Sequence, residues 1–94
     1  GTPQWILINL KSPEKLSTLE IQFQGGFAGK DCHLEAGDDP KNLNIIQNFY
    51  PEDTNTTQIF KLDETIEAKC FRIVFDTSTD FFGRIVIYKL SLYS

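Results

Sequence analysis

Side-chain chemistry near neutral pH has three obvious candidates in this sequence: Cys32, His33 and Cys70. A catalytic nucleophile needs a base within hydrogen-bond reach. Cys32 and His33 are adjacent, and on a β-strand adjacent side chains point to opposite faces. The expectation is a core cysteine beside a surface histidine, with no catalytic pair. Two cysteines and one histidine without close Cys-x-x-Cys spacing do not supply the four ligands of a zinc site. The two cysteines read as free buried thiols rather than a bridge, because a secreted scaffold short of core carries a denser set. Hard oxygen donors occur in two turns, Asp38-Asp39 and Glu52-Asp53, and calcium takes six to eight such ligands. Neither turn has EF-hand spacing, and carboxylates are common in turns for their local hydrogen bonds. No metal, cofactor or enzymatic activity is expected, with calcium at Asp38, Asp39, Glu52 and Asp53 as the weaker alternative.

Aromatic turns carry the stronger signal. Asp80-Phe81-Phe82-Gly83-Arg84 sets two consecutive phenylalanines in a turn, and both cannot enter one core, so at least one should be exposed. The competing reading has Phe81 capping the core, Phe82 under the loop, Gly83 in an unusual backbone conformation and Arg84 paired with Asp80. Phe49-Tyr50-Pro51-Glu52-Asp53 is similar, with Pro51 stiffening a turn and Tyr50 as a core hydroxyl or an exposed anchor. Tyr50, Pro51, Glu52, Asp53, Asp80, Phe81, Phe82 and Arg84 are therefore the candidate protein-binding residues. Gly25-Gly26-Phe27 lacks the strand-to-helix setting of a phosphate loop and marks a bulge or tight turn.

The elements that must hold these turns are strands. Leu19, Ile21 and Phe23 alternate with Glu20, Gln22 and Gln24, and Phe71, Ile73 and Phe75 repeat the device around Arg72, as half-buried strands do. Phe60 and Leu62 flank Lys61 in a shorter run. Gln4 to Leu10 and Arg84 to Leu92 place apolar residues on both parities, which predicts central strands covered on both sides. Turn signals fall at Ser12-Pro13-Glu14, Gly25-Gly26, Gly37 to Pro40, Pro51 to Asp53 and Thr77 to Gly83. Leu43, Ile46 and Tyr50 have helical spacing, but Asn42, Asn44 and Asn48 are poor helix formers, so this segment reads as strand or irregular. Regular short strands and turns predict an all-β sandwich or barrel. The 94 residues, 40% of them hydrophobic, suffice for one domain. A net charge of -4 has the wrong sign for wrapping nucleic acid. The longest apolar runs are four residues, far short of the roughly 20 of a membrane span.

Four segments carry a family resemblance. Gln4 to Leu10 resembles the Gln-Trp-Ile strand of discoidin or coagulation-factor V/VIII C-terminal domains. Ile21 to Phe27, Phe49 to Asp53, and Thr79 to Tyr88 resemble, in order and spacing, segments of the family of small nuclear-receptor-associated repressor proteins. The resemblance covers essentially all 94 residues and implies a galactose-binding-like, discoidin-type jelly-roll β-sandwich. Members of this group extend further at the N-terminus, so it also implies a domain recorded without its first strands. It implies a non-enzymatic interaction module, working in the nucleus or cytoplasm, with a nuclear receptor as partner and repression of receptor-driven transcription as output. A carbohydrate- or calcium-binding lectin-like module is the alternative from fold analogy.

Overall fold

A computed structural model describes all 94 residues. Five strands account for its regular structure: β1 (Gln4–Phe23), β2 (Cys32–Gly37), β3 (Asn44–Phe49), β4 (Thr57–Phe75) and β5 (Ile87–Tyr93). All pairings are antiparallel, and the strand order is β3-β2-β4-β1-β5.

The long β1–β4 ribbon organises everything else. It runs from Gln4 opposite Phe75 to Gln22 opposite Thr57. A straight ribbon of that length would span about 60 Å at the usual rise per residue, yet the whole molecule measures 36 × 24 × 21 Å. The rings of Phe23 and Phe75, from opposite ends of the ribbon, meet edge to face at 5.9 Å. The ribbon therefore folds over on itself. Its first half, with β2 and β3, makes one layer; its second half, with β5, makes the other.

The fold-over occurs where pairing slips. β1 takes the whole stretch from Asn9 to Glu14 while β4 moves only from Cys70 to Ala68, and then β4 runs from Ile66 to Lys61 while β1 moves from Leu16 to Thr18. Extra residues on one strand bend a sheet, and Pro13, which has no N–H to donate, sits among those looped out. The expected turn at Ser12-Pro13-Glu14 is thus a bend within one strand rather than a chain reversal.

Strand alternation fills the space between the layers. Leu19, Ile21 and Phe23 face Leu34, Phe71, Ile73 and Phe75 in one cluster, all essentially inaccessible to water. Phe49 and Phe60 join it with ring centres 5.0 Å apart. Within Leu43 to Tyr50, Asn44–Phe49 resolves as strand, β3.

Two strand expectations need correction. Gln4 to Leu10 is covered on one face: Ile6, Ile8 and Leu10 are half-buried against the core, while Trp5 is 56% exposed and Leu7 also faces out. The Arg84 to Leu92 segment becomes strand only from Ile87, and β5 pairs with β1 alone, at the end of the sheet. Its outward aromatics are amphipathic: the Tyr88 hydroxyl donates to Gln24 Oε1 at 2.9 Å and that of Tyr93 to Glu20 Oε1 at 3.1 Å. Apolar residues on both parities therefore do not mean burial on both faces.

Candidate functional site

The turn after β4 is held by one carboxylate. Asp80 Oδ2 accepts the backbone N–H groups of Phe82 at 3.1 Å and Arg84 at 3.0 Å, and Arg84 Nε–H at 2.9 Å. Asp80 Oδ1 takes Arg84 Nη2–H at 3.1 Å. The paired Arg84 guanidinium holds the Asp80 carboxyl down at about 2, so both partners are charged at neutral pH. Ser78 and Thr79 fasten the turn to the body: Ser78 Oγ donates to Arg84 O at 2.7 Å, and Ala28 N–H donates to Thr79 Oγ1 at 3.0 Å. Gly83 has φ +77°, and a Cβ there would stand 2.9 Å from Thr2 N, so only glycine fits without displacement. Gln4 Nε2 donates to Gly83 O at 2.6 Å, closing the turn against the start of the chain.

This rigid turn carries both phenylalanines outward. Phe81 is 93% exposed and Phe82 67%, with their rings edge to face at 5.2 Å. The Arg84 guanidinium lies between Phe82, at 5.4 Å, and Phe27, at 5.2 Å. Such stacking stabilises an exposed aromatic by roughly 0.5–1 kcal/mol. The pairing of Arg84 with Asp80 and the unusual backbone at Gly83 are as that reading has them; Phe81 capping the core and Phe82 beneath the loop are not, because Asp80 and Gly83 fix a backbone that turns both rings to solvent.

The Tyr50 to Asp53 loop joins the same end of the molecule through a third turn. Asp53 Oδ1 accepts Gly26 N–H at 2.7 Å, and Asn55 Oδ1 accepts Gly25 N–H at 2.6 Å. Glu52 exchanges two bonds with the Gln58 amide, its N–H donating at 2.8 Å and its carbonyl accepting at 2.9 Å. Tyr50 is exposed beside Pro51. The Gln24 to Phe27 turn, tight as expected, thus touches Asp53 through Gly26 and Arg84 through Phe27. Both candidate segments are tied to it. Phe27, Gln58 and Asn55 are supports that the sequence reasoning missed; the Gly-Gly-Phe signal marked a turn without revealing what it bridges.

The acidic pairs do not assemble. Asp38 and Asp39 follow β2 at Gly37, whereas Glu52 and Asp53 follow β3 at Phe49, which pairs with Cys32 at the opposite end of the hairpin. No group of three or more His, Cys, Asp or Glu side chains is arranged to hold a metal ion.

His33 is the second cluster and a correction. Alternation does turn it away from Cys32, but it is buried, at 9% exposure, because β2 lies inside its layer between Asn48 of β3 and Val74 of β4. Its Nε2 stands 2.7 Å from Glu35 Oε2 and its Nδ1 2.7 Å from Asp76 Oδ2. Glu35 Oε1 also accepts Arg72 Nε–H at 2.8 Å, and the Arg72 guanidinium lies 5.4 Å over Trp5. Burial works against a charge on His33, but the hydrogen bonds it donates to Glu35 and Asp76 outweigh it and raise its pKa.

Neither cysteine is poised for chemistry. Burial first, then the charges of Asp76 and Asp31, push the Cys32 thiol up to about 12, and a thiol is a poor nucleophile when protonated. Cys70, fully buried, donates its S–H to Asn9 Oδ1 at 3.3 Å. Cys32 pairs with Phe75 and Cys70 with Gly37, which separates them by about 17 Å along the ladder, too far for a bridge.

No protein-family model matches the chain. It is 46% identical over 92 residues to the nuclear receptor 2C2-associated protein of Danio rerio, covering 98% of this chain and 65% of that protein. To the Xenopus laevis protein of the same name it is 44% identical over 92 residues, with coverage of 98% and 67%. For the Homo sapiens protein the figures are 40% over 90 residues, 96% and 64%. The chain spans about two thirds of the length of these curated relatives. Among solved structures, a chitosan-binding module from Paenibacillus sp. IK-5, in complex with chitotriose, superposes with a TM-score of 0.82 at 19% identity over 100% of this chain and 72% of that one. The family 32 carbohydrate-binding module of Clostridium perfringens NanJ, in complex with galactose, gives 0.80 at 18% identity, over 99% and 68%. Identity this low shows the fold alone: the chain has the galactose-binding-like, discoidin-type jelly roll.

Proposed function

Because this chain belongs to the nuclear receptor 2C2-associated protein family, we propose that it is a non-enzymatic interaction module that binds a nuclear receptor and represses receptor-driven transcription. Its place of work is inside the cell, in the nucleus or cytoplasm. The contact surface comprises Asp80, Phe81, Phe82 and Arg84 with the neighbouring Tyr50, Pro51, Glu52 and Asp53. One observation carries this assignment: two adjacent phenylalanines, 93% and 67% exposed, stand on a turn braced by at least five hydrogen bonds. Exposed aromatics on a preorganised loop are what interface anchors require, because ordering costs are met before binding. Within this surface Arg84 is a brace rather than a charge offered to the partner, since Asp80 already engages it through two nitrogens. The receptor surface that takes Phe81 and Phe82 is therefore apolar.

Supporting the sugar-binding alternative is the same aromatic pair, which could serve as a platform. It fits less well, because the polar groups beside the rings, Asp80 and Arg84, are occupied by each other.

The test is calorimetric titration of the full-length protein with the nuclear receptor 2C2 ligand-binding region. Phe82→Ala and Phe81→Ala should each weaken binding by about 2 kcal/mol, roughly 30-fold, with unchanged folding by circular dichroism. Folded variants that bind as tightly as the parent would sink the assignment, and saturable heat with chitotriose or galactose, absent with receptor, would install the alternative.

A further inference from the structure

The bend in β1 carries a motif that the receptor-binding surface does not use. Ser12-Pro13-Glu14-Lys15 places proline directly after a hydroxyl and a cation three positions after it. A protein kinase takes its substrate as extended chain, and where the enzyme offers no acceptor to the N–H after the phosphorylated residue, proline is favoured because it has none. The lysine then supplies a point charge to an acidic rim. The one other Ser/Thr-Pro pair, Thr2-Pro3, has Trp5 at that third position and lies against Gly83.

The strand register presents the same residues. Leu10 to Pro13 stand between the paired residues Asn9 and Glu14, whereas Lys69 alone stands between their partners Cys70 and Ala68. Four residues on one strand against one on the other cannot all lie in the ladder, so Ser12 and Pro13 protrude. Lys11 to Lys15 are exposed in an unbroken run between half-buried Leu10 and buried Leu16. Two cross-strand pairs, Glu14 with Ala68 and Lys15 with Glu67, hold its downstream part, a short stretch to lift into a cleft. By contrast, the hydroxyls of Thr77, Ser78 and Thr79 are bonded into the turn they hold.

We infer that Ser12 is a phosphorylation site for a proline-directed kinase of the cyclin-dependent class. Its Oγ attacks the γ-phosphorus of ATP, the bond to the β–γ bridging oxygen breaks, ADP leaves, and the hydroxyl proton passes to the kinase's catalytic aspartate. The product adds a charge of about −2 at neutral pH. Lys11, Lys15 and Lys69 are its neighbours in sequence and register, and none is in an ion pair, so the phosphate gains countercharge instead of repulsion. Asn9 and Cys70 lie at the end of the first layer away from Gln4 and Phe75, which sets the phosphate apart from the turn at Phe81 and Phe82. The inference rests on the proposed function for its intracellular setting alone.

The experiment incubates the full-length protein with a cyclin-dependent kinase and Mg-ATP and locates phosphate by tandem mass spectrometry, with a synthetic peptide of residues 8–17 as positive control. Expected are phosphate on Ser12 in both, none in Ser12→Ala, and a kcat/KM about tenfold lower for Lys15→Ala, the loss of one contact to a charged group. Both variants replace exposed side chains, and circular dichroism should show them folded. A peptide that is phosphorylated while the folded protein is not would overturn the site, as would phosphate at Thr2 without Ser12, or a rate indifferent to Lys15→Ala. Receptor affinity by calorimetry should match between phosphorylated and unmodified protein; a weaker phosphorylated form would overturn the separation of the two sites. Receptor binding by neither form would count against the proposed function and leave Ser12 phosphorylation standing.

Discussion

His33→Gln should destabilise the protein, and the loss should depend on pH in a direction fixed by geometry. A neutral imidazole has one N–H, but both ring nitrogens of His33 stand 2.7 Å from carboxylate oxygens. A neutral ring would set a lone pair against a carboxylate, so the site fits the doubly protonated ring. For His33, burial favours the neutral form, yet the bonds to Glu35 and Asp76 prevail and its pKa rises above 6.5. For Glu35, burial favours protonation, yet the bonds from His33 and Arg72 prevail and its pKa falls below 4.5. A raised histidine pKa stabilises the fold fully below the unfolded value and loses that contribution as pH rises through the folded one. A lowered carboxylate pKa contributes above its unfolded value and fades as pH falls through the folded one. Stability should therefore peak between pH 4.5 and 6.5, the ordinary values of the two groups, and decline on either side. Glutamine spans a similar length without charge and can donate to one carboxylate only. The lost charge-assisted bond to buried Glu35 is worth about 1.5–3 kcal/mol. The bond to Asp76, whose side chain is 45% exposed, adds on the order of 0.5 kcal/mol after solvent screening. Arg72 keeps Glu35 partnered, which holds the total below the roughly 3–5 kcal/mol of a fully orphaned buried charge. A loss of about 2–3 kcal/mol in a domain this size lowers Tm by roughly 10–20 °C. Thermal unfolding of both proteins by circular dichroism, from about pH 5 to about pH 9, reads this out. The gap should be widest near pH 6 and narrow toward pH 9. Equal Tm values at pH 6, a gap constant with pH, or an imidazole resonance titrating below 6.5 would refute the ion-pair account.

Other substitutions and reagents probe the rest of the fold. Gly83→Ala places a Cβ 2.9 Å from Thr2 N at a φ of +77°; it should cost about 1 kcal/mol or more, read as a Tm drop near 5 °C, and weaken receptor binding by displacing Phe82. Both thiols should resist a disulfide-exchange reagent in the native protein and react fully in urea, since Cys32 and Cys70 are buried and Cys32 is held protonated; a Cys32 to Cys70 bridge found by mass spectrometry would contradict the strand register.

Much of the fold is legible in the sequence because alternation is a local property. Leu19, Ile21 and Phe23, like Phe71, Ile73 and Phe75, declare a buried face whatever lies opposite, and both triplets are in the core. What sits on the outer face is not local. Trp5 and Leu7 share the apolar character of Ile6 and Ile8, but one face meets the second layer and the other meets Arg72 and water. His33 errs the other way: a polar residue on an outward parity reads as surface, but Asn48 of β3 and Val74 of β4 flank it, and one of its carboxylate partners, Asp76, lies forty-three positions along the chain. Pairing over such distances has no periodicity to betray it. The bend at Pro13 is likewise a property of two strands, since the slip appears only when β1 and β4 are laid side by side.

The candidate site divides along the same line. That Phe81 and Phe82 could not both be buried follows from their adjacency in a turn, so one exposed ring was derivable. That both are exposed depends on Asp80, whose oxygens fix the backbone N–H groups of Phe82 and Arg84, and on Gly83, which turns the chain where a side chain would collide with its beginning. Within the turn, the Asp80–Arg84 spacing is readable. Outside it, Phe27 comes from a different turn and forms the second face of the Arg84 stack. The same turn reaches Asp53 through Gly26, so a single bracket positions two segments that sequence separates by nearly thirty residues. A substitution in that bracket should therefore disturb both segments together: Phe27→Ala removes one face of the stack without touching either loop. If receptor affinity is set by the rigidity of Phe82 rather than by its contact area alone, Phe27→Ala should weaken binding several-fold although Phe27 makes no contact with the partner. Calorimetry on the folded variant decides this, and affinity equal to that of the parent would show that the turn needs no brace beyond Asp80.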